Sequence, residues 1–283
     1  MGGIALTALV LFAAGTFFVS CLTYAFFWYE TANSDYGNRL EHLSGNRVRR
    51  WIARGILTSW TSMMFTVVLY PFGFLQRLLR PPGTPDPAST PVILVHGLYH
   101  NASAWVLFRI WLKRAGFGNL YAVNYNSMKC TFDQAVELLD RSITEVAAHH
   151  PGHRMVLIGH SLGGLLSRVC VEREGKGRDI AALIALGTPH QGSKLAALGP
   201  GRLAASIIYR SPLFQEIERE ASSCDVPRLA LYSPVDNMVL PNDALAIQHP
   251  GWTAEIIAPI SHVAMLFHRP TAMRAIEYIR RLP

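Results

Sequence analysis

The sequence predicts an α/β protein: a mainly parallel sheet of about six strands with helices on both faces, preceded by N-terminal membrane helices. Three observations predict it. From residue 91 onward, short apolar, β-branched runs alternate with helix-length stretches. Two long uncharged runs precede that pattern, and a proline-rich stretch separates the two regions. At 283 residues, half hydrophobic and 16% charged, the chain has the reverse of a disordered balance.

The first uncharged run is Met1–Tyr29, closed by Phe26, Phe27, Trp28 and Tyr29. A bilayer core needs about 20 apolar residues, and aromatic rings favour its edge. No Lys or Arg precedes the run, which disfavours a cleavable signal peptide and also the lipobox-like Phe18-Val19-Ser20-Cys21. An uncleaved anchor helix over about 3–29 is expected. The second run, Gly55–Gln76, is more polar and contains Pro71. A helix over about 55–76 is expected to span or to lie at the interface. Residues 1–80 therefore read as a membrane anchor.

Between the runs, Arg39, Arg47, Arg49, Arg50 and Arg54 face Glu30, Asp35 and Glu41. Basic segments favour the cytoplasmic side. If both runs span, the main domain is extracytoplasmic, in a periplasm or lumen. If only the first spans, the remainder stays in the cytoplasm. The first arrangement is the expectation. Residues 81–90, beginning Pro81-Pro82-Gly83-Thr84-Pro85-Asp86-Pro87, read as a stiff linker.

In the region 91–283, strands are expected at Pro91–Val95, Leu120–Tyr125, Met155–Ile158, Ile180–Leu186, Leu229–Tyr232 and Glu255–Ile257. Helices are expected around Ala102–Ala115, Phe132–His149, Leu162–Glu174 and Ala272–Leu282. Residues 193–220 form an apolar insertion of cap size, either a lid or a helix packed on the sheet. The net charge of +7 is spread out: residues 91–283 hold 19 basic and 15 acidic residues without a basic block. Nucleic acid is excluded as a partner on that ground. Four cysteines fit neither a disulfide scaffold nor a four-cysteine zinc site. Pro151-Gly152 breaks the helix that would align His149, His150 and His153 on a metal. No dinucleotide fingerprint or phosphate-binding loop occurs, and no cofactor is implied.

Ligands of parallel sheets bind beyond the carboxyl ends of the strands. There, Gly159-His160-Ser161-Leu162-Gly163 follows a strand and opens a helix, the setting in which G-x-S-x-G presents a nucleophile. Serine needs a base, and the base needs a carboxylate to orient it. On this turn the chain order is serine, acid, histidine. Asp225 precedes its strand; Asp236 follows it, with Asp243 the fallback. His249 precedes its strand and His268 falls in an expected helix, which leaves His262. Ser161, Asp236 and His262 are the expected triad. The backbone N–H groups of Leu98 and Leu162 are the expected oxyanion donors, with Tyr99 or His100 able to orient the first loop.

These blocks resemble the α/β-hydrolase superfamily, and within it the bacterial triacylglycerol lipase and esterase branch. The resemblance rests on His96-Gly97-Leu98, Gly159 to Gly164, Thr188-Pro189-His190-Gln191-Gly192-Ser193, Asp236 and Ser261-His262. The Thr188 segment is also similar to that of GPI-inositol deacylases. The resemblance implies a serine carboxylester hydrolase acting on a lipid or other ester through an acyl-serine; the N-terminal apolar runs, which are not part of that family pattern, add the expectation of a membrane anchor. Its rivals are an acyltransferase or thioesterase with the same triad, and an inactive membrane-tethered lipid-binding protein.

Overall fold

A computed structural model describes residues 2–75, 80, 84–173, 179–221 and 224–282. The ends of the expected second run and of the helix after Ser161 (Gln76 and Glu174), with Pro81, Pro82 and Gly83 of the linker, lie outside the described residues.

Six strands form one all-parallel sheet: β1 (Val92–Val95), β2 (Leu120–Val123), β3 (Met155–His160), β4 (Ile180–Leu186), β5 (Arg228–Tyr232) and β6 (Trp252–Ile256). Their order is β2-β1-β3-β4-β5-β6, with Val95 opposite both Val123 and Gly159. The four inner strands are apolar and almost fully buried, because helices cover both faces. On the α-helical side, α1 (Gly2–Ala32), α2 (Tyr36–Ser44) and α3 (Val48–Leu69) come first. They are followed by α4 (Val106–Arg114), α5 (Phe132–His149), α6 (Leu162–Glu172), α7 (Arg202–Ser206), α8 (Pro212–Glu220) and α9 (Arg269–Arg280). Leu139 and Val146 of α5 pack with Leu165 and Leu166 of α6 on one face. Phe108 and Leu112 of α4 pack with Ala275 and Ile279 of α9 on the other.

Element boundaries differ from expectation where polar side chains intervene. β2 ends at Val123 because the Asn124 side chain turns to the backbone, accepting from the Ala102 N–H at 2.7 Å and donating to Gly73 O at 3.0 Å. β6 begins three residues early, at Trp252, and pairs with Arg228–Tyr232. It is an edge strand, so its exposed Thr253 and half-buried Glu255 break the apolar run that marks a buried one. His268 is not inside a helix. It caps α9, its Nδ1 2.8 Å from Thr271 Oγ1, and Pro270 starts the helix at a position needing no N–H donor.

Gly3–Ala32 and Val48–Phe74 are long and apolar enough to cross a membrane. They also pack against each other and against the sheet domain. The Trp60 indole donates to Ala13 O at 2.9 Å, and Gly55 faces Tyr24, where an added Cβ would come 2.1 Å from the phenol oxygen. The short helix between them, α2, docks on the same domain. Tyr36 donates to Pro234 O at 2.9 Å, Leu40 is fully buried with Val235 and Leu240, and Arg39 reaches Asp243 at 3.6 Å. A bilayer cannot pass between two surfaces in contact. The connection between the two apolar helices thus lies against the sheet domain.

One buried ionic cluster ties the sheet to α6. Glu172, 2% exposed, accepts from Arg168 at 2.7 Å, from Arg228 at 2.9 Å and from the Trp252 indole at 2.7 Å. Both arginines are as deeply buried as the glutamate. Removing one partner of such a cluster leaves uncompensated charge, which costs about 3–5 kcal/mol. Glu172→Ala is expected to lose stability on that scale, read as a lower midpoint of urea unfolding.

Candidate active site

Ser161 sits between β3 and α6 at φ 55°, ψ −125°, a conformation that L residues avoid. The turn is possible because three backbones cross with no side chains between them. A Cβ on Gly159 would stand 2.5 Å from backbone atoms of Gly163 and Gly164; one on Gly163 would stand 2.2 Å from Val95 O. Real Cβ atoms do not approach so closely, so alanine at either position would push β1, β3 and α6 apart. The Ser161 N–H is held by Leu186 O at 2.8 Å, which pins the turn to β4.

Asp236 and His262 lie on the loops after β5 and β6, beyond the same sheet edge. His262 Nδ1 is 2.6 Å from Asp236 Oδ2. The other carboxylate oxygen accepts from the N–H groups of Met238 at 2.9 Å and Val239 at 3.0 Å. Asp236 is fully buried, so these donors offset the loss of water around its charge. Asp243 is away from this pair, in its contact with Arg39. His249 precedes β6, at the far edge from the serine. Ser161 and His262 line one apolar cavity of about 360 Å³. A cavity of similar volume, about 370 Å³, lies against β2 and α5 among Tyr121, Glu145 and His149. It contains none of these three residues and has no chemistry comparable to theirs.

Two supports for His262 were invisible to the sequence reasoning. Asn237 Oδ1 accepts the His262 N–H at 3.2 Å, and the His160 ring, through Nε2, bonds His262 O at 3.1 Å. His160 is the variable residue of G-x-S-x-G, and only its place beside Ser161 signalled a role. In the loop carrying Leu98, the Tyr99 hydroxyl donates to Pro200 O and the His100 N–H to Gly97 O at 3.2 Å, and His96 adds a further hold. His96 Nδ1 is 2.8 Å from Gly97 O, so this nitrogen carries the proton and Nε2 accepts from the Tyr125 N–H at 3.3 Å. The Tyr125 hydroxyl donates to His96 O at 2.6 Å, and the two rings stack at 4.2 Å. Tyr99 contributes through its backbone, donating to Ser127 Oγ at 2.9 Å with φ 59°. Leu162 opens α6, where a helix N–H has no intrahelical acceptor.

The 193–220 insertion divides its work. Leu195, Leu198 and Ile207 border the cavity, while Leu203, Phe214 and Ile217 are buried against α5 and α6. Among the described residues no group of three or more His, Cys, Asp or Glu could hold a metal.

The parallel sheet and the serine turn at its edge make up the α/β-hydrolase fold. Residues 91–220 match the family described as palmitoyl protein thioesterase. A probable esterase of Oryza sativa subsp. indica is 35% identical over 86 residues, 29% of this chain and 33% of that protein. Norfluorocurarine synthase 1 of a Strychnos species is 28% identical over 154 residues, 50% of this chain and 55% of that protein. The chain thus spans between a third and about half of these curated relatives. The mature lipase BlEst2 of Bacillus licheniformis superposes with a TM-score of 0.56 at 17% identity, covering 70% of this chain and 97% of that one. The likeness shows the α/β-hydrolase fold.

Burial holds the site's supporting histidines neutral. Desolvation draws His96 down to about 4. It draws His100 to about 3, helped by the nearby His96 and His262, and lowers His160 well below the usual histidine range. In the unfolded chain all three titrate near 6.5. Their stabilising contribution is complete above that pH and is lost as pH falls toward the folded values, because the unfolded state then binds more protons. The urea midpoint is expected to be lower at pH 5 than at pH 7.5. Equal midpoints would contradict the neutral assignment.

Proposed function

We propose that this chain is a membrane-anchored serine hydrolase that cleaves carboxylic esters of long acyl chains through an acyl-serine intermediate. The observation that carries the reading is the apolar cavity into which Ser161 and a carboxylate-held His262 both face. The lipase and esterase relatives support the general class. In the proposed reaction, Ser161 Oγ attacks the ester carbonyl while His262 Nε2 takes the hydroxyl proton. Asp236 holds the opposite ring nitrogen and stabilises the imidazolium. The oxyanion rests on the Leu98 and Leu162 N–H groups, each such donor contributing about 10²–10³ in rate. Collapse breaks the acyl–oxygen bond, and His262 returns the proton to the departing alcohol. Water then attacks the acyl-serine with His262 as base, releasing the acid and restoring Ser161.

A second reading, a thioesterase, is favoured by the match of residues 91–220 to the palmitoyl protein thioesterase family. The same groups serve, with a thiol leaving in place of an alcohol. Ser161→Ala is expected to abolish hydrolysis of p-nitrophenyl esters from C4 to C16 and of an S-palmitoyl peptide alike. The larger wild-type kcat/KM among the two substrate types decides between the readings. Full activity in the variant would remove both.

For the membrane, the proposal is that α1 inserts by its exposed apolar face while α3 lies along the catalytic domain. Arg39, Arg47, Arg49, Arg50 and Arg54 then share a side with that domain, and basic residues favour the cytoplasm. This reverses the extracytoplasmic expectation. Protease added outside intact cells should leave the catalytic domain uncut; its digestion would restore the opposite sidedness.

A further inference from the structure

The cavity beside Ser161 is closed on one flank by α1. Leu22, Thr23 and Phe26 line it, facing Leu195 and Leu198 of the insertion and Met238 of the acid loop. An apolar helix resting loosely on a globular domain would not define a binding wall, but this one is fixed in place. Thr23 Oγ1 accepts from Asn237 Nδ2 at 2.7 Å, and Tyr24 donates to Val235 O at 2.8 Å. Glu30 pairs with Lys194 at 2.6 Å, at the start of the insertion. These bonds flank Phe26 on both sides and directly follow Leu22, so the wall keeps its distance from the serine. From α3, Thr58 Oγ1 accepts the Ser261 N–H at 3.0 Å and Ser59 lies 3.4 Å from Asn237 Nδ2.

The mouth has a second property. Leu22, Phe26, Leu198 and Met238 line the cavity and are also exposed at its rim. Upward along α1, Val19, Phe18 and Leu11 continue the same uncharged surface. Water gains nothing by wetting such a rim, whereas an alkyl chain gains with each methylene it buries there. We infer that Leu22 and Phe26 of α1 form one wall of an acyl-chain subsite, so that the apolar N-terminal helix itself sets selectivity for long over short acyl chains. This inference deepens the hydrolase reading and rests on it.

The test uses the full-length protein in detergent micelles and compares labelling of Ser161 by ethyl and dodecyl fluorophosphonates. This readout needs a reactive serine but no turnover. Wild type is expected to label faster with the dodecyl probe. Leu22→Trp, which fills the subsite, should lower the dodecyl-to-ethyl rate ratio at least tenfold. Leu22→Ala removes the contact without adding bulk and should lower the ratio severalfold; it serves if the tryptophan variant fails to fold. Leu9→Trp, on the exposed part of α1 away from the cavity, should keep the wild-type ratio. A wild-type ratio in the Leu22 variants, or an equal fall in Leu9→Trp, overturns the subsite. Absence of labelling by either probe in wild type removes the hydrolase reading itself, and the subsite with it.

Discussion

The close crossing of β1, β3 and α6 at Ser161 is the constraint around which the rest is arranged. A residue at φ 55° survives only where its surroundings leave it no other conformation. Here the surroundings are backbone: Val95, His96, Gly159, Gly163 and Gly164 lie so near one another that no Cβ fits between them. The crossing aims the serine away from the sheet and places the first N–H of α6 beside it. It also brings the loop after β1 within reach, so that His96 and Tyr125 can set its shape.

The groups that face the serine are held by a different principle. Nothing in β5 or β6 directs Asp236 toward His262; their loops are irregular, and their hydrogen bonds run mostly to one another and to the N-terminal helices. Asn237 joins the two kinds of partner. Its oxygen accepts from the His262 backbone, and its amide donates to Thr23 of α1 and lies near Ser59 of α3. Burial makes such bonds strong, because an unsatisfied amide there has no water to turn to.

Much of the sheet and the serine turn was legible in the sequence, since both arise from local patterns. Apolar runs, three of them followed by glycine or histidine, gave five strands nearly in place, and the glycine spacing around Ser161 reported the crossing directly. The edge strand β6 was legible only in part, because half-exposure erases the continuous apolar signal. The docking of α1, α2 and α3 was not legible at all. It depends on Tyr24, Tyr36, Thr23 and Thr58 meeting residues some 200 positions away, and isolated hydroxyls in an apolar helix have no periodicity to announce a partner. The uncharged runs carried a strong signal of their own, and it pointed to a hairpin in which the connection and the domain are apart. Leu40, buried against Val235 and Leu240, belongs to a helix too short and too polar to have suggested otherwise.

The two hydroxyls that meet Asn237 come from different helices, Thr23 from α1 and Ser59 from α3. A force that slides or parts these helices is therefore felt at the backbone of His262 before it reaches any strand of the sheet. The order of mechanical failure is written into the wiring: the base loses its alignment while the serine, clamped by crossing backbones, keeps its own.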